Sequence, residues 1–600
     1  MSNPESKVDR HAIQKKYAEE RVKRLRDDAN DQYVDPSSLD DRYLADPHTP
    51  PFEREARSEE VDVVIVGAGF GGLLLARELR EAGVKQVRLV EKAGGVGGTW
   101  YWNRYPGAQC DIESYMYMPL LEETGAMPTE RYAMGPEIRE HAERIAEHYN
   151  LMPDILFQTQ LTEARWSPEL ARWIIKTDRG DELAARFICS SSGPLNRPKF
   201  PAIRNLHKFQ GHSFHTSRWD YGYTGGSETS PLDWLHDKRV GVIGTGATAL
   251  QAVPVLARDA KELYVFQRTP STVGVRGNRP TDPDWFKSLE PGWQRKRNNS
   301  FAGVLGLDFS EEDLVRDGWT EFTRLFREEL KRTGKADALT PELFRETLET
   351  AAHIRMKEFR VRIDEVVKDP ATAEALKPWY DLGCKRWGFH DEYLDAFNQP
   401  NVTLVDTLGK GVDELTPTGA VVAGKTIELD CIIYATGFET GPRYTHKSDF
   451  EFIGRDGRTL TEHWGEGIRT FQGWITDGFP NLFFMMNAQG AQPANYVHML
   501  SELSHHIGYV ISELMRRDAP AIEPEAGAVD AWVREIITKG QSKVAELEAC
   551  TPGYYNGEGL IDDRTTSSLP YAEGGRAMFA VLEKWRNEGD FANMKVNLKG

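Results

Sequence analysis

The chain has 600 residues, 40% hydrophobic and 28% charged, with 92 acidic side chains against 74 Lys and Arg and a formal net charge of −18. That length suggests several packed units, and the acidic balance excludes nucleic acid as a partner, since phosphate binding needs a basic face. No run approaches the roughly 18 apolar residues of a membrane helix, Met1–Lys7 lacks a secretory apolar core, and cysteines 110, 189, 384, 431 and 550 are too scattered for a disulfide framework or a Cys-x-x-Cys pair, so a cytoplasmic chain without membrane contact is expected.

Residues 1–58 contain no glycine and form an N-terminal extension. Ala12–Ala29 reads as a charged helix followed by an extended Asp/Pro/Tyr segment. A solvated arm is one reading. The other, favoured here, is an arm that wraps the body, anchored by Tyr17, Leu25, Tyr33 and Tyr43.

Val61–Val66 is a continuous apolar strand running into Gly67-Ala-Gly69-Phe-Gly-Gly72, then a helix with Leu73, Leu74, Ala76 and Leu79 inside, then the strand Val87–Val90 ending on Glu91. Strand, G-x-G-x-x-G, helix and an acid about 20 residues on make the full dinucleotide-binding context. Gly67 permits the turn, Gly69 lets backbone approach a pyrophosphate, Gly72 allows close helix packing, and Glu91 would bond ribose hydroxyls. Gly94–Ser114 follows, with Gly98, Thr99, Trp100, Tyr101 and Trp102, then Gln109, Cys110 and Asp111. Its glycines allow close approach to a cofactor, and its aromatics offer flat walls for a flavin ring. Short strands are expected at Phe157–Leu161, Trp173–Thr177 and Phe187–Ser190.

Phe209–Asp220 is an irregular linker with Gly211, two aromatics and His215 at fixed offsets, lying between two nucleotide signatures. The second signature is Arg239–Ile243 followed by Gly244-Thr245-Gly246-Ala247-Thr248-Ala249, with Gln251 in the helix behind it. Its second strand, Leu263–Phe266, ends not on an acid but on Gln267-Arg268-Thr269. An acid would repel a 2′-phosphate, whereas arginine pairs with it bidentately. The charge swap predicts FAD in the first unit and NADPH in the second.

Residues 275–380 read as a helical insertion, with a capping box at Ser310–Asp313 and an N-cap at Thr340 before Pro341. Its use is structural, with an inner face available to shape a pocket. Gly383–Trp387 carries the adjacent cations Lys385 and Arg386; alone, such a pair is usually a solvated patch. Asp430–Phe438 is a strand ending in an Ala-Thr-Gly turn, Phe479–Phe484 a late strand, and Asn487–Asn495 a loop whose amides would face a flavin's pyrimidine end before a helix from about Val497. Cys550–Gly559 is a glycine-rich loop.

Phe209, Gly211, His215, Trp219 and Asp220 match at every position the pattern F-x-G-x-x-x-H-x-x-x-W-[P/D], and with the two glycine motifs and Lys385-Arg386 the chain resembles the type I Baeyer–Villiger monooxygenases over residues 60 to about 560. The resemblance implies an α/β fold of two Rossmann-type domains with a helical insertion. The expected division is 59–198 and 437–600 for FAD, and 199–274 with 381–436 for NADPH around the insertion at 275–380. The flavin contacts are expected to include Tyr117 and Leu161 as well. By the resemblance Asp111 lies beside flavin and nicotinamide, Lys385 joins Arg268 at the 2′-phosphate, and Arg386 reaches over the flavin as the cation for developing negative charge. The chain departs from the family pattern at Gln109, where many relatives have arginine, and at Gly553, Tyr554 and Tyr555, where many hold a tryptophan that contacts NADPH. NADPH, O2 and a bulky or cyclic ketone are the implied partners, with oxygen activated as a flavin peroxide, in a monomer or small homo-oligomer. A flavin-dependent N- or S-oxygenase and a silent flavin-binding module are the alternatives.

Overall fold

Two sheets organise the computed structural model, in which residues 10–334, 339–440 and 449–596 are described. Met1–Lys7, read above for a secretory signal, lies outside them. The first sheet grows from Ser58–Val66, where Val63, Val64 and Ile65 are fully buried. The strand's second half, Val63–Val66, is apolar at every position because that stretch is covered on both faces and leaves no face for polar side chains. It pairs in parallel with Val87–Val90 on one side and Glu182–Ser190 on the other. Ile155–Leu156 extends the parallel order, and Leu482–Phe484 adds in parallel to Glu182–Ser190. An antiparallel meander, Leu161–Ser167 and Arg172–Thr177, joins Glu182–Ser190 to an edge at Glu451–Ile453. The helix Phe70–Glu81 packs against the late helix Tyr496–Arg516 in the largest core, so the chain's last third returns to the first unit.

The second sheet is parallel throughout, in the order Val402–Asp406, Glu262–Gln267, Arg239–Ile243, Cys431–Tyr434, His212–His215. Parallel neighbours need a crossover. The one between Gln267 and Val402 carries the helices Trp293–Leu305, Glu321–Arg332 and Pro341–Val366. The last begins as its sequence indicates, with Thr340 accepting from the Leu343 N–H at 3.2 Å and Pro341 in the first turn.

Several sequence expectations change. Phe209–Asp220 is not irregular throughout: His212–His215 is an edge strand paired with Cys431–Tyr434. Phe157–Gln160 is not strand, since Gln158 takes a left-handed turn with φ 46° and pairing starts at Leu161. Ser310 caps no helix; its N–H and hydroxyl both bond Asp308, and the next helix starts at Glu321. The first helix is Arg10–Arg24. Cysteine spacing indicated no disulfide, yet Cys384 and Cys550, separated by 166 residues, are bonded. Sequence distance hides such a pair because folding alone brings the two thiols together.

The N-terminal arm wraps. Tyr33–Val34 pairs with Phe200–Pro201, Tyr43 shares a 2.7 Å hydrogen bond with Ser213, and Tyr101 donates to Asp46 at 2.6 Å. Tyr17 and Tyr43 are buried, whereas Leu25 is exposed and anchors less than expected. No described helix is long and apolar enough to cross a membrane.

Candidate active site

The first glycine turn is shaped by crowding. Gly67 holds φ 105°, and a Cβ on Gly72 would sit 2.0 Å from the Gly67 carbonyl oxygen. The helix Phe70–Glu81 starts at Gly69 with no side-chain cap, so its first amides are free of the residue type that normally satisfies them. In the second unit the helix Ala247–Asp259 begins in the same way at Gly246, where an added Cβ would meet nothing within 4 Å. Packing does not require that glycine, and the bare backbone leaves room for a phosphate to approach the helix start. Both starts therefore fit a dinucleotide pyrophosphate. Glu91 is buried, and its two carboxylate oxygens accept from the Ala68 and Ala93 N–H groups at 2.6 and 2.7 Å. Burial pushes its proton affinity up, against those two amides.

Gly98 abuts Gly69 and opens the short helix Thr99–Trp102. Trp100 donates from its indole to Tyr117 at 3.0 Å, fixing two aromatic walls edge to face. Cys110 is buried and burial raises its thiol, so it is no thiolate. Leu161 is placed with Val66 and Val90 in the core. Gln109 and Gln251 tie the units together. Gln251 accepts from Tyr105 at 2.7 Å and from the Gln109 N–H at 3.3 Å, and its amide donates to the Gln109 carbonyl at 2.5 Å. The Gln109 side chain accepts from Arg276, a buried guanidinium that sequence reasoning missed.

The two units also meet at Asp111 and Arg386, whose Oδ1 and Nη2 stand 2.5 Å apart. Trp319, from the helical insertion, donates to the Asp111 carbonyl at 2.8 Å, lies 4.8 Å from the Arg386 guanidinium carbon, and stacks on Trp387. No sequence motif marks Trp319; only the fold brings it here. Burial works against the charge of Arg386, but Asp111, Tyr555 and Tyr554 together outweigh it and strengthen proton binding. Tyr554 and Tyr555 also lie within electrostatic reach of that guanidinium. The pair can hold a fixed positive charge in a partly dry site, which suits the stabilisation of a developing oxyanion.

The second cluster surrounds Arg268. Its guanidinium bonds Gln32, Tyr33 and Glu558, at 2.6, 3.1 and 2.9 Å. Lys199 reaches Glu558 at 3.1 Å, and Lys385 bonds the Pro552 carbonyl at 2.9 Å. Burial and the charge of Arg268 bring Lys385 down to about 8. Thr269 Oγ1 is buried without a hydrogen-bond partner among the described residues. Three cations and an orphaned hydroxyl fit a phosphate monoester.

The linker motif is used for joining. His215 is fully buried. Its Nδ1 accepts from the Ser217 N–H at 3.2 Å, which leaves the proton on Nε2 to donate to Gly437 O at 3.0 Å. Burial holds it neutral, down to about 3. Trp219 is buried edge-on to Phe214, Asp220 accepts from His212 at 2.8 Å, and a Cβ on Gly211 would strike the Phe209 ring.

Residues 65–123 match the model of an NAD(P)-binding Rossmann-like domain. Neopentalenolactone D synthase of Streptomyces avermitilis is 48% identical over 592 residues, 98% of this chain and 99% of the relative. Baeyer–Villiger monooxygenase ATR8 of Stachybotrys chlorohalonatus is 46% identical over 588 residues, 98% and 94% of the two chains. Among solved structures, polycyclic ketone monooxygenase from the thermophilic fungus Thermothelomyces thermophila superposes with a TM-score of 0.89 at 38% identity, covering 99% of this chain and 100% of that one. OTEMO in complex with FAD and NADP gives 0.74 at 27% identity, over 89% and 99% of the two chains.

Proposed function

The chain belongs to the type I Baeyer–Villiger monooxygenases, and from that premise we propose that its substrate is a bulky, fused-ring ketone and that Asp111 and Arg386 form its reaction centre. The enzyme is an NADPH-dependent FAD monooxygenase that inserts one atom of O2 beside a ketone carbonyl, giving an ester or lactone. The other oxygen atom leaves as water. When bound, NADPH supplies the electrons and FAD the oxygen activation; the chain supplies binding, orientation and electrostatics.

The observation that carries the reading is the 2.5 Å Asp111–Arg386 contact at the junction of the two units. Attack on a ketone carbonyl turns its oxygen into an alkoxide. A guanidinium already in place lowers that barrier without reorganisation, an effect worth about 3–4 kcal/mol for one well-aimed donor. Asp111 orients Arg386, Trp319 orients both, and Arg268, Lys199 and Lys385 take the cofactor's 2′-phosphate. Glu91 and the amides of the helix Phe70–Glu81 hold the flavin dinucleotide. The fused-ring substrate class rests on the names of relatives that act on polycyclic ketones or make lactones. A cytoplasmic setting, where NADPH is replenished, suits this chemistry.

The test is incubation of the purified FAD-loaded protein with NADPH, isotopically labelled O2 and a panel of monocyclic and fused-ring ketones, amines and sulfides, read by mass spectrometry. A fused-ring lactone carrying one labelled oxygen is the expected product. Oxidised sulfides or amines with no ester from any ketone would overturn the assignment.

A further inference from the structure

Glu558 is 3% exposed, yet it is a carboxylate on a surface loop. Its Oε2 pairs with Arg268 at 2.9 Å, and its Oε1 pairs with Lys199 at 3.1 Å and accepts from Tyr33 at 3.0 Å. These are the cations assigned above to the 2′-phosphate, and the argument's first step rests on that assignment. We infer that Glu558 is an internal competitor of the cofactor's 2′-phosphate, and so a residue that sets the affinity and charge requirement of the pyridine-nucleotide site.

Carboxylate and phosphate are recognised by the same donors, a planar guanidinium fork and an ammonium. Three of the five N–H donors of Arg268 are taken up within this cluster, two on Nη1 by Gln32 and Tyr33 and one on Nη2 by Glu558. A 2′-phosphate that takes Arg268 Nη2 and Lys199 together binds by exchange with the Glu558 carboxylate, which holds both. The exchange favours the phosphate, which carries about −1.5 to −2 where the carboxylate carries one charge. A ribose hydroxyl has no charge with which to drive it, so a nucleotide lacking the phosphate leaves the ion pairs in place.

The loop is built to give way. Glu558 holds φ 60° and ψ 31°, a left-handed conformation that side chains avoid, between Gly557 at φ 58° and Gly559 at φ 94°. Its ion pairs hold it there, together with a 2.9 Å bond from its own N–H to the Gly553 carbonyl. Although burial pushes the carboxyl up, Arg268, Lys199 and Lys385 bring it down to about 2, so it competes as an anion throughout the working pH range. The start of the loop is fixed, because Cys550 is bonded to Cys384, next to Lys385.

The experiment is calorimetric titration of FAD-loaded wild-type, Glu558→Gln and Arg268→Ala proteins with adenosine 2′,5′-bisphosphate and with ADP. Glu558→Gln should bind the bisphosphate at least about fivefold more tightly, with ADP changed by less than about twofold. Unchanged or weaker bisphosphate binding in Glu558→Gln overturns the inference. Arg268→Ala separates the two layers: if it does not weaken the bisphosphate relative to ADP, the phosphate-site assignment itself is wrong. In wild-type protein, hydrogen exchange of the amides around 553–560 should quicken under the bisphosphate and not under ADP; unchanged or slower exchange counts against displacement.

Discussion

Trp319 touches both members of the Asp111–Arg386 pair, through a 2.8 Å hydrogen bond to one and its ring face to the other. Replacing it by phenylalanine keeps a ring but leaves the Asp111 carbonyl unsatisfied, a loss of about 1–2 kcal/mol for a buried acceptor. Trp319→Phe should therefore lower the ester-forming rate roughly tenfold and raise the share of NADPH electrons lost as hydrogen peroxide, with NADP binding unchanged. Normal coupling in that variant would remove Trp319 from positioning. Lys385 gives a pH prediction with a definite sign. Its proton is held less tightly than an ordinary lysine's, at about 8, so below that pH it is a cation and above it a neutral amine. A phosphate favours the cation, so binding of adenosine 2′,5′-bisphosphate should be level near neutrality and weaken as pH rises through about 8. Lys385→Arg, charged at every working pH, should flatten the profile. A level wild-type profile would show that Lys385 does not face the phosphate. The charge swap between Glu91 and Arg268 was legible in the sequence because each follows its own glycine turn at a fixed distance. Trp319 and Glu558 were not, since their partners lie 208 and 290 residues away.

The segment Phe209–Asp220 was recognisable as a motif, but its element type was not. Its strand is short, and its pairing partner, Cys431–Tyr434, lies more than 200 residues downstream. Periodicity cannot reveal an edge strand of four residues. The structure gives the motif a mechanical reading: His215 clamps the strand to Gly437, the turn through which the chain leaves the second sheet. His215→Ala should leave flavin content normal, because the ring's bonds and ring contacts go to Ser217, Gly437, Phe200 and Phe438, while orphaning the Ser217 N–H and the Gly437 carbonyl costs about 1–3 kcal/mol. Reduction of the flavin by NADPH should slow, followed by absorbance after rapid mixing. A colourless protein would instead make His215 a packing residue of the flavin unit. The Cys384–Cys550 bond belongs to this scale too, as a staple between the Lys385-Arg386 segment and the C-terminal loop that spacing alone did not suggest.

At the scale of the molecule, specific contacts join the two sheets where a site can form. Gln251 holds the Gln109 backbone, Arg386 holds Asp111, and the arm and the C-terminal loop close over Arg268 from opposite ends of the chain. On the assignments proposed above, hydride delivery and oxygen insertion would draw on different residues: the Arg268 cluster would place the nicotinamide cofactor, and Arg386 would meet charge that develops only at the ketone. That separation is tested most directly by a single-turnover experiment on FAD-loaded Arg386→Ala protein, with flavin reduction, ester and hydrogen peroxide measured from the same mixing. Flavin reduction should stay close to the wild-type rate, ester should fall by at least about two powers of ten, and the electrons should be recovered as peroxide. Substantial ester, or a flavin that NADPH no longer reduces, would contradict the separation.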